Sequence, residues 1–439
     1  MKVKINPSQA EGCITVPPSK SMAHRVLICA GLAEGQSQIN NVVLSEDISA
    51  TLDCLQALGA KWKINDKTIF IDGTNLKKCL PQDDLNCRES GSTLRFFLPL
   101  ALANGNKIRL TGSKYLLKRP LDVYHNIALE RNLLFEHQTT SITVQGPLIH
   151  GQYTIPGNIS SQFATGLLFA LPLLQGDSLL KIIPPIESFS YILMTIAALR
   201  EFGIDICSNS KTAEKMRMVK ITQTKNNTES LDNIQTIINT QNVQSTGISL
   251  KIQGNQKFKP GNKTVEGDYS NAAFLEAFNL FGGKVKVKGL NTDSLQGDAV
   301  YPELFTLLTT GNPQISLKNC PDLGPILFAV AAAFNGATFF DTKRLAIKES
   351  DRANAMAEEL AKFGIKVNVE KNSVQIMPGI LKTPNKILMG HNDHRIVMSL
   401  AILCSITGGI IEGAEAVTKS YPDFFKIIEQ LGIELEYIE

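Results

Sequence analysis

The sequence predicts an α/β protein of two similar domains, each made of three repeated strand-helix-strand-helix-strand-strand units around a buried central helix. Three observations carry that expectation. Six apolar, helix-like runs each end at a glycine and pass straight into a strand-like run; most are followed by an amphipathic helix and a hairpin; and all six begin with polar residues.

The six runs are CAGLAEGQSQINNVV, LPLALANGNKIRLTG, FALPLLQGDSLLKII, EAFNLFGGKVKVKG, AAAFNGATFFDTK and LCSITGGIIEGAEAV, with their glycines at 35, 105, 176, 283, 336 and 409. Glycine tolerates the left-handed conformation that ends a helix, which predicts a helix stop at each of these positions. The following helix and hairpin are visible in LDCLQALGAKWKINDKTIFIDG, IALERNLLFEHQTTSITVQG, IAALREFGIDICSNS and MAEELAKFGIKVNVEKNSVQIMPG. The last copy, IIEQLGIELEYIE, stops with half a hairpin, and the opening strand KVKIN can supply the missing partner. Between Gly176 and Gly283 lies a polar, Asn/Thr/Lys-rich stretch, roughly residues 208 to 262, that reads as an insertion and a domain boundary. The expected domains are therefore residues 19–264, and residues 1–18 together with 265–439.

The 439 residues, 43% of them hydrophobic, give core enough for two or three domains. A balance of 44 Lys and Arg against 41 Asp and Glu excludes a polybasic nucleic-acid binder, so any basic site must be local. The eight cysteines form no CxxC pair and mostly sit in apolar runs, as buried free thiols do in a reducing compartment, which argues against a zinc site. No segment reaches the ~18 uninterrupted apolar residues of a membrane span, and the start lacks the apolar stretch of a signal peptide. A soluble cytoplasmic protein is expected.

The helix starts are SKSMAHR (19–25), ESGSTLR (89–95), SSQF (160–163), DYSN (268–271), CPDLGP (320–325) and HNDHR (391–395). Plain capping accounts for DYSN. It does not account for Lys20, Arg25, Arg95 and Arg395, because a cation in a first helical turn opposes the helix dipole unless an anion occupies the site. KRPLDVY (118–124), IKESDR (347–352) and TKSYPDFF (418–425) add further basic residues, each alone consistent with a solvated face. Together they place Lys20, Arg25, Arg95 and Arg119 in the first half and Lys348, Arg352, Arg395 and Lys419 in the second. Two such faces would repel until a polyanion bridged them, so a cleft closing on anionic ligands is expected.

PPSKSMAHR, SGSTLR, KRPLDVY, SSQF, PD before an alanine-rich helix, KESDR, NDHR and TKSYPDFF occur in the order seen in the enolpyruvyl transferase family, which the chain resembles from residue 17 to 425. The resemblance implies an inside-out α/β barrel-like fold of two domains. It also implies transfer of the enolpyruvyl group of phosphoenolpyruvate to the 5-hydroxyl of shikimate 3-phosphate, by addition and elimination, in chorismate and aromatic amino acid biosynthesis. No metal, organic cofactor, nucleic acid or membrane is implied, and the expected state is a monomer. By the same resemblance Lys20, Asp322 and Glu349 are catalytic. Shikimate 3-phosphate falls to Lys20, Ser21, Arg25, Ser160, Ser161, Gln162, Ser188, Tyr191, Asp322 and Lys348, mostly on the N-terminal side. Phosphoenolpyruvate falls to Lys20, Gly91, Arg119, Gln162, Arg352, Arg395 and Lys419, with the C-terminal domain as its proton-transfer side.

Within the family, the transferases acting on UDP-N-acetylglucosamine carry a cysteine in a Gly-rich loop before an Arg-Pro and a Lys-Asn in the start motif. This chain has GSKYLLKRP and Lys20-Ser21. A noncatalytic phosphate or RNA-end binding module, as in the related RNA-phosphate cyclases, leaves Asp322 and Glu349 unexplained and lacks aromatic platforms, with one Trp in the chain. The absence of GxxxxGK[ST] excludes a P-loop kinase. Several positions depart from the family pattern: Arg88-Glu89 stands for Gly-Asn, Ser92 for Thr, Phe96 for Pro, Arg344 for a substrate-binding Asn, and Ala346 for a basic residue. His24 and His394 read as structural hydrogen-bonding residues.

Overall fold

The six apolar runs form helices Lys20–Gly31, Gly91–Asn104, Ser161–Ala170, Tyr269–Ala277, Gly324–Ala333 and His394–Thr407 in a computed structural model that describes residues 1–81, 83–208 and 247–438. Nearly every residue of each helix is buried, because their sequences are apolar on all faces rather than along one stripe. Gly105 caps its helix at φ 92°, and Gly35 and Gly336 also have positive φ. At the stops expected at Gly283 and Gly409 the residue of positive φ lies one position earlier, at Gly282 and Gly408. Gly176 does not take this conformation, which corrects the expectation. A Cβ there would stand 2.6 Å from His150 Cδ2, so its glycine provides clearance rather than a turn.

Among the described residues five four-stranded sheets repeat one order. Strand Leu85–Asn86 runs parallel to Lys107–Thr111, which is antiparallel to Ser141–Gln145, itself antiparallel to Leu134–His137. The central helix makes the parallel crossover, as parallel neighbours require, and the outer helix Asp122–Glu130 leads into the hairpin. In the first sheet, Asn262–Thr264 supplies the parallel strand beside Gly35–Asn40. In the last, Lys2–Ile5 lies antiparallel between Gly409–Glu412 and Leu435–Ile438, completing the half hairpin. The unit of helix Tyr269–Ala277 differs: it has two parallel strands, Glu11–Thr15 and Lys284–Lys288, and no hairpin. Its outer helix Tyr301–Thr310 is followed almost at once by Gln314–Ser316, which opens the next sheet, so no chain remains for two further strands. Much of the polar stretch expected as an insertion, residues 209–246, lies outside the described residues.

The chain divides into two compact units, one comprising Pro18–Glu266 and Asn291–Leu295, the other Met1–Pro17, Gly267–Leu290 and Gln296–Glu439. Each has its own apolar core, built from its three central helices and the inner faces of its sheets. Among the described residues no helix is long and apolar enough to cross a membrane. Cys29, Cys54, Cys87, Cys320 and Cys404 are buried thiols, whereas Cys13 is exposed and Cys79 half-buried; the side chain of Cys207 lies outside the described set.

Candidate active site

In the unit of Pro18–Glu266, cations gather where the three central helices begin. Lys20 is the first residue of its helix, behind the Ser19 cap, and its Nζ donates to Asp47 Oδ2 at 2.8 Å. Arg25 and Arg95 lie in the second turns of their helices, which corrects their expected first-turn placement. They still serve the helix starts, because helical side chains lean toward the N-terminus. Arg25 Nη1 donates back to Ser21 O at 2.6 Å, Nε to Thr195 Oγ1 at 2.9 Å and Nη2 to Tyr191 O at 3.0 Å, and the guanidinium lies 5.7 Å from the Tyr191 ring centre. All these partners are neutral, and burial pushes the Arg25 pKa down to about 10. Such a cation gains most from an incoming anion.

Arg95 Nη1 donates to Gln162 Oε1 at 2.7 Å, and Gln162 Nε2 donates to Ser92 Oγ at 3.0 Å, so this pair bridges two helix starts. Arg119 reaches the same place: a Cβ added to Gly91 would meet its Nη1 at 2.7 Å and Arg95 Nη1 at 3.3 Å. The buried Arg119 Nε has no hydrogen-bond partner among the described residues. Ser160 caps its helix by accepting from Gln162 N, Ser161 follows it in the first turn, and Ser188 precedes helix Phe189–Glu201 in a left-handed conformation. Behind them His24 Nδ1, Thr51, Thr93 and Ser90 form a buried hydroxyl chain, and burial followed by Lys20 and Arg25 holds His24 well below the usual imidazole range.

Arg88 has φ 49°, a conformation suited to the glycine that the family pattern places there. It is tied to Glu46 at 2.6 Å and Asp53 at 2.7 Å, and so fastens the turn before Gly91 to helix Glu46–Ala57.

The second unit holds its cations with carboxylates. Asp322, on the short turn Pro321–Leu323, accepts from Lys348 Nζ at 3.0 Å and Arg352 Nη1 at 2.8 Å, with Arg395 Nη2 3.5 Å away. Burial would raise the Asp322 pKa, but Lys348, Arg395 and Arg352 hold it well below the usual carboxylate range. Arg352 also donates through Nη2 to Glu349 Oε2 at 2.7 Å and through Nε to Asp393 Oδ2 at 2.8 Å. Asp393 caps helix His394–Thr407 by accepting from Arg395 N. Lys419 Nζ donates to Asn392 O at 2.7 Å. Arg344, in the place of the family's Asn, is buried with Nη2 donating to Lys318 O at 2.6 Å.

Six expected residues, Asp322, Lys348, Glu349, Arg352, Arg395 and Lys419, thus meet in one network or attach to its rim. In the other unit Ser21, Arg25 and Tyr191 meet in one group, and Gly91, Arg119 and Gln162 meet around Arg95 in another. Lys20 instead meets Asp47, and Ser160, Ser161 and Ser188 stand at helix starts. Sequence reasoning missed Asp47, Thr195, Asp393 and Asp298. Thr195 had a visible signal, a hydroxyl inside the apolar run ILMTIAAL. Asp298 accepts a hydrogen bond from Ser270 Oγ, and its Oδ1 is buried with no hydrogen-bond partner among the described residues. Burial and then neighbouring Asp322 push the Asp298 pKa up to about 7.

The family model described as EPSP synthase (3-phosphoshikimate 1-carboxyvinyltransferase) matches residues 5–232 and 229–428. A Clostridium kluyveri protein named 3-phosphoshikimate 1-carboxyvinyltransferase is 36% identical over 99% of this chain and 98% of its own length. One of the same name from Clostridium acetobutylicum is 37% identical, covering 98% of this chain and 97% of its own. Among solved structures, an EPSP synthase from Acinetobacter baumannii has the same fold, with a TM-score of 0.73 at 21% identity, over 99% of this chain and all of that one.

Proposed function

The chain belongs to the EPSP synthase family, and from that premise we propose that it transfers the enolpyruvyl group of phosphoenolpyruvate to the 5-hydroxyl of shikimate 3-phosphate, releasing phosphate. The observation that carries the reading is that two carboxylates, Asp322 and Glu349, share one guanidinium, Arg352, at 2.8 and 2.7 Å. Addition across an enol needs an acceptor for the hydroxyl proton and a donor for the methylene carbon, beside cations that hold phosphate and carboxylate.

Asp322, kept ionised by its three cations, is the acceptor at the 5-hydroxyl. Glu349 donates a proton to C3 as C2 bonds to the substrate oxygen, giving a tetrahedral intermediate. Loss of phosphate from C2 and return of a C3 proton restore the double bond. Phosphoenolpyruvate competes with Glu349 for Arg352. Arg395, Lys419, Arg119 and Gln162 take the phosphoenolpyruvate anion, with backbone close to Gly91, and Lys20 serves both substrates. Ser21 and Arg25 receive the shikimate carboxylate side, and Ser160, Ser161, Ser188, Gln162, Tyr191 and Lys348 its phosphate side. The same reading has the enzyme acting as a cytoplasmic monomer.

The test is phosphate release from phosphoenolpyruvate with shikimate 3-phosphate, run beside UDP-N-acetylglucosamine. Release with shikimate 3-phosphate alone is expected; release only with the nucleotide sugar would overturn the assignment.

A further inference from the structure

Helix Arg352–Lys362 carries Arg352 in its first turn and Glu359 seven residues later, a spacing that puts both on one face, two turns apart. Both side chains are buried, Glu359 completely. A buried carboxylate is costly unless its oxygens are bonded, and those of Glu359 are. Oε1 pairs with Lys362 Nζ at 2.8 Å and His391 Nε2 at 2.8 Å, and Oε2 accepts from Met389 N at 2.9 Å and Lys362 Nζ at 2.9 Å. These bonds draw the Glu359 pKa below the usual range despite its burial.

The partners fall in a regular order. Lys362 Nζ holds Ile387 O at 3.2 Å, Glu359 holds Met389 and His391, and Arg352 holds Asp393. Every second residue of the segment approaching helix His394–Thr407 is therefore fastened to the neighbouring helix. The segment needs fastening, because His391 and Asn392 are consecutive non-glycine residues with φ of 48° and 53°. Each such residue costs about 1 kcal/mol or more and persists only where its surroundings over-determine it. This turn also offers Asn392 O to Lys419 and presents Asp393, which caps the helix of Arg395.

We propose that Glu359 is a positioning residue that clamps the His391–Asn392 turn and thereby sets where Arg395 and Lys419 meet an anionic ligand. Its link to phosphoenolpyruvate rests on the function read above. Glu358, Glu359 and His391 could also be grouped as metal ligands by distance. However, both Glu359 oxygens already face the Lys362 ammonium, which supplies the cation.

The experiment uses Glu359→Gln with two readouts. Amide hydrogen exchange of the peptide covering residues 387–395, measured without substrate, is expected to speed up while the rest of the unit stays protected. In steady state the phosphoenolpyruvate KM is expected to rise about tenfold, the loss of roughly one charge-assisted hydrogen bond. The shikimate 3-phosphate KM and kcat should stay close to wild type. Unchanged exchange in that segment, or a fall in kcat with both KM values unmoved, overturns the proposal. Should Glu359→Gln fail to fold, His391→Asn removes one bond and keeps a residue tolerant of the left-handed backbone. It is expected to speed exchange in the same segment and to raise the phosphoenolpyruvate KM less, and wild-type values in both would overturn the clamp. A wild-type chain without turnover on shikimate 3-phosphate defeats the assigned reaction, yet leaves the exchange result to decide on the clamp.

Discussion

Arg25 and Arg352 are both buried guanidiniums, and they are held by opposite means. Arg25 rests on two carbonyls and two threonine hydroxyls, and burial lowers its pKa to about 10. Burial works on Arg352 in the same direction, but Asp393, Glu349 and Asp322 outweigh it and raise its pKa above the usual arginine range. A cation resting on neutral dipoles keeps its charge available for a ligand. One enclosed by carboxylates spends that charge in place and fixes the carboxylates' positions. The first arrangement suits holding an anion, and the second suits fixing where acids and bases stand.

The largest effects should come from residues that handle protons or both substrates. Lys20→Ala and Glu349→Gln are each expected to lower kcat by about 10²–10⁴, the usual worth of a positioned acid-base group, with the fold retained by circular dichroism at some loss of melting temperature, since each gives up an ion pair. Near-normal turnover in either would strip that residue of its role. Next comes a direct contrast. Arg352→Met leaves Asp322, Glu349 and Asp393 facing one another and should cost about 3–5 kcal/mol in denaturant unfolding, as breaking buried ion pairs does. Arg25→Met should cost clearly less stability while strongly weakening shikimate 3-phosphate binding. Equal losses would erase the distinction between the units.

A third expectation concerns pH. Folded Asp298 titrates at about 7, through burial and the charge of Asp322, whereas an unfolded aspartate titrates near ~3.9. Between those values the folded state holds a proton that the unfolded state has lost, so stability falls as pH rises from about 4 to 7. Asp298→Asn should therefore gain on wild type in melting temperature across that window, and parallel curves would contradict it. Smaller still, Gly91→Ala pushes a methyl toward the ends of Arg119 and Arg95 and should raise the phosphoenolpyruvate KM about tenfold, or about 1.4 kcal/mol. An unchanged phosphoenolpyruvate KM would remove Gly91 from the site. Arg88→Gly relieves a left-handed backbone but gives up two half-exposed ion pairs, so its stability should shift by less than about 1 kcal/mol either way.

The buried helices were legible because a run such as GPILFAVAAA cannot face water on any side. The place of KVKIN was legible because IELEYIE alternates and lacked a partner. Asn262–Thr264 was not, since three polar residues carry no period and gain their strand conformation only from Gly35–Asn40 beside them. The cations of the site could be read because charge at an apolar helix start stands out. Their holders were harder to read: Thr195 shows only as a hydroxyl in an apolar run, and Asp47 is an ordinary helix residue until the fold sets it against Lys20. Gly176 shows the converse, a correct residue noticed for the wrong reason, since clearance from another segment leaves no local pattern.

Lys2–Ile5 lies between two strands drawn from the end of the chain. Its sheet therefore forms only when Lys2 meets Glu412 and Ile438, the kind of long loop closure that slows folding. The sheet around helix Lys20–Gly31 can close as soon as Thr264 emerges. Translation thus lets the sheet of Gly35–Asn40 form before Gly409–Glu412 and Leu435–Ile438 have been made, so the unit of Arg25 can assemble most of its core ahead of the unit of Arg352.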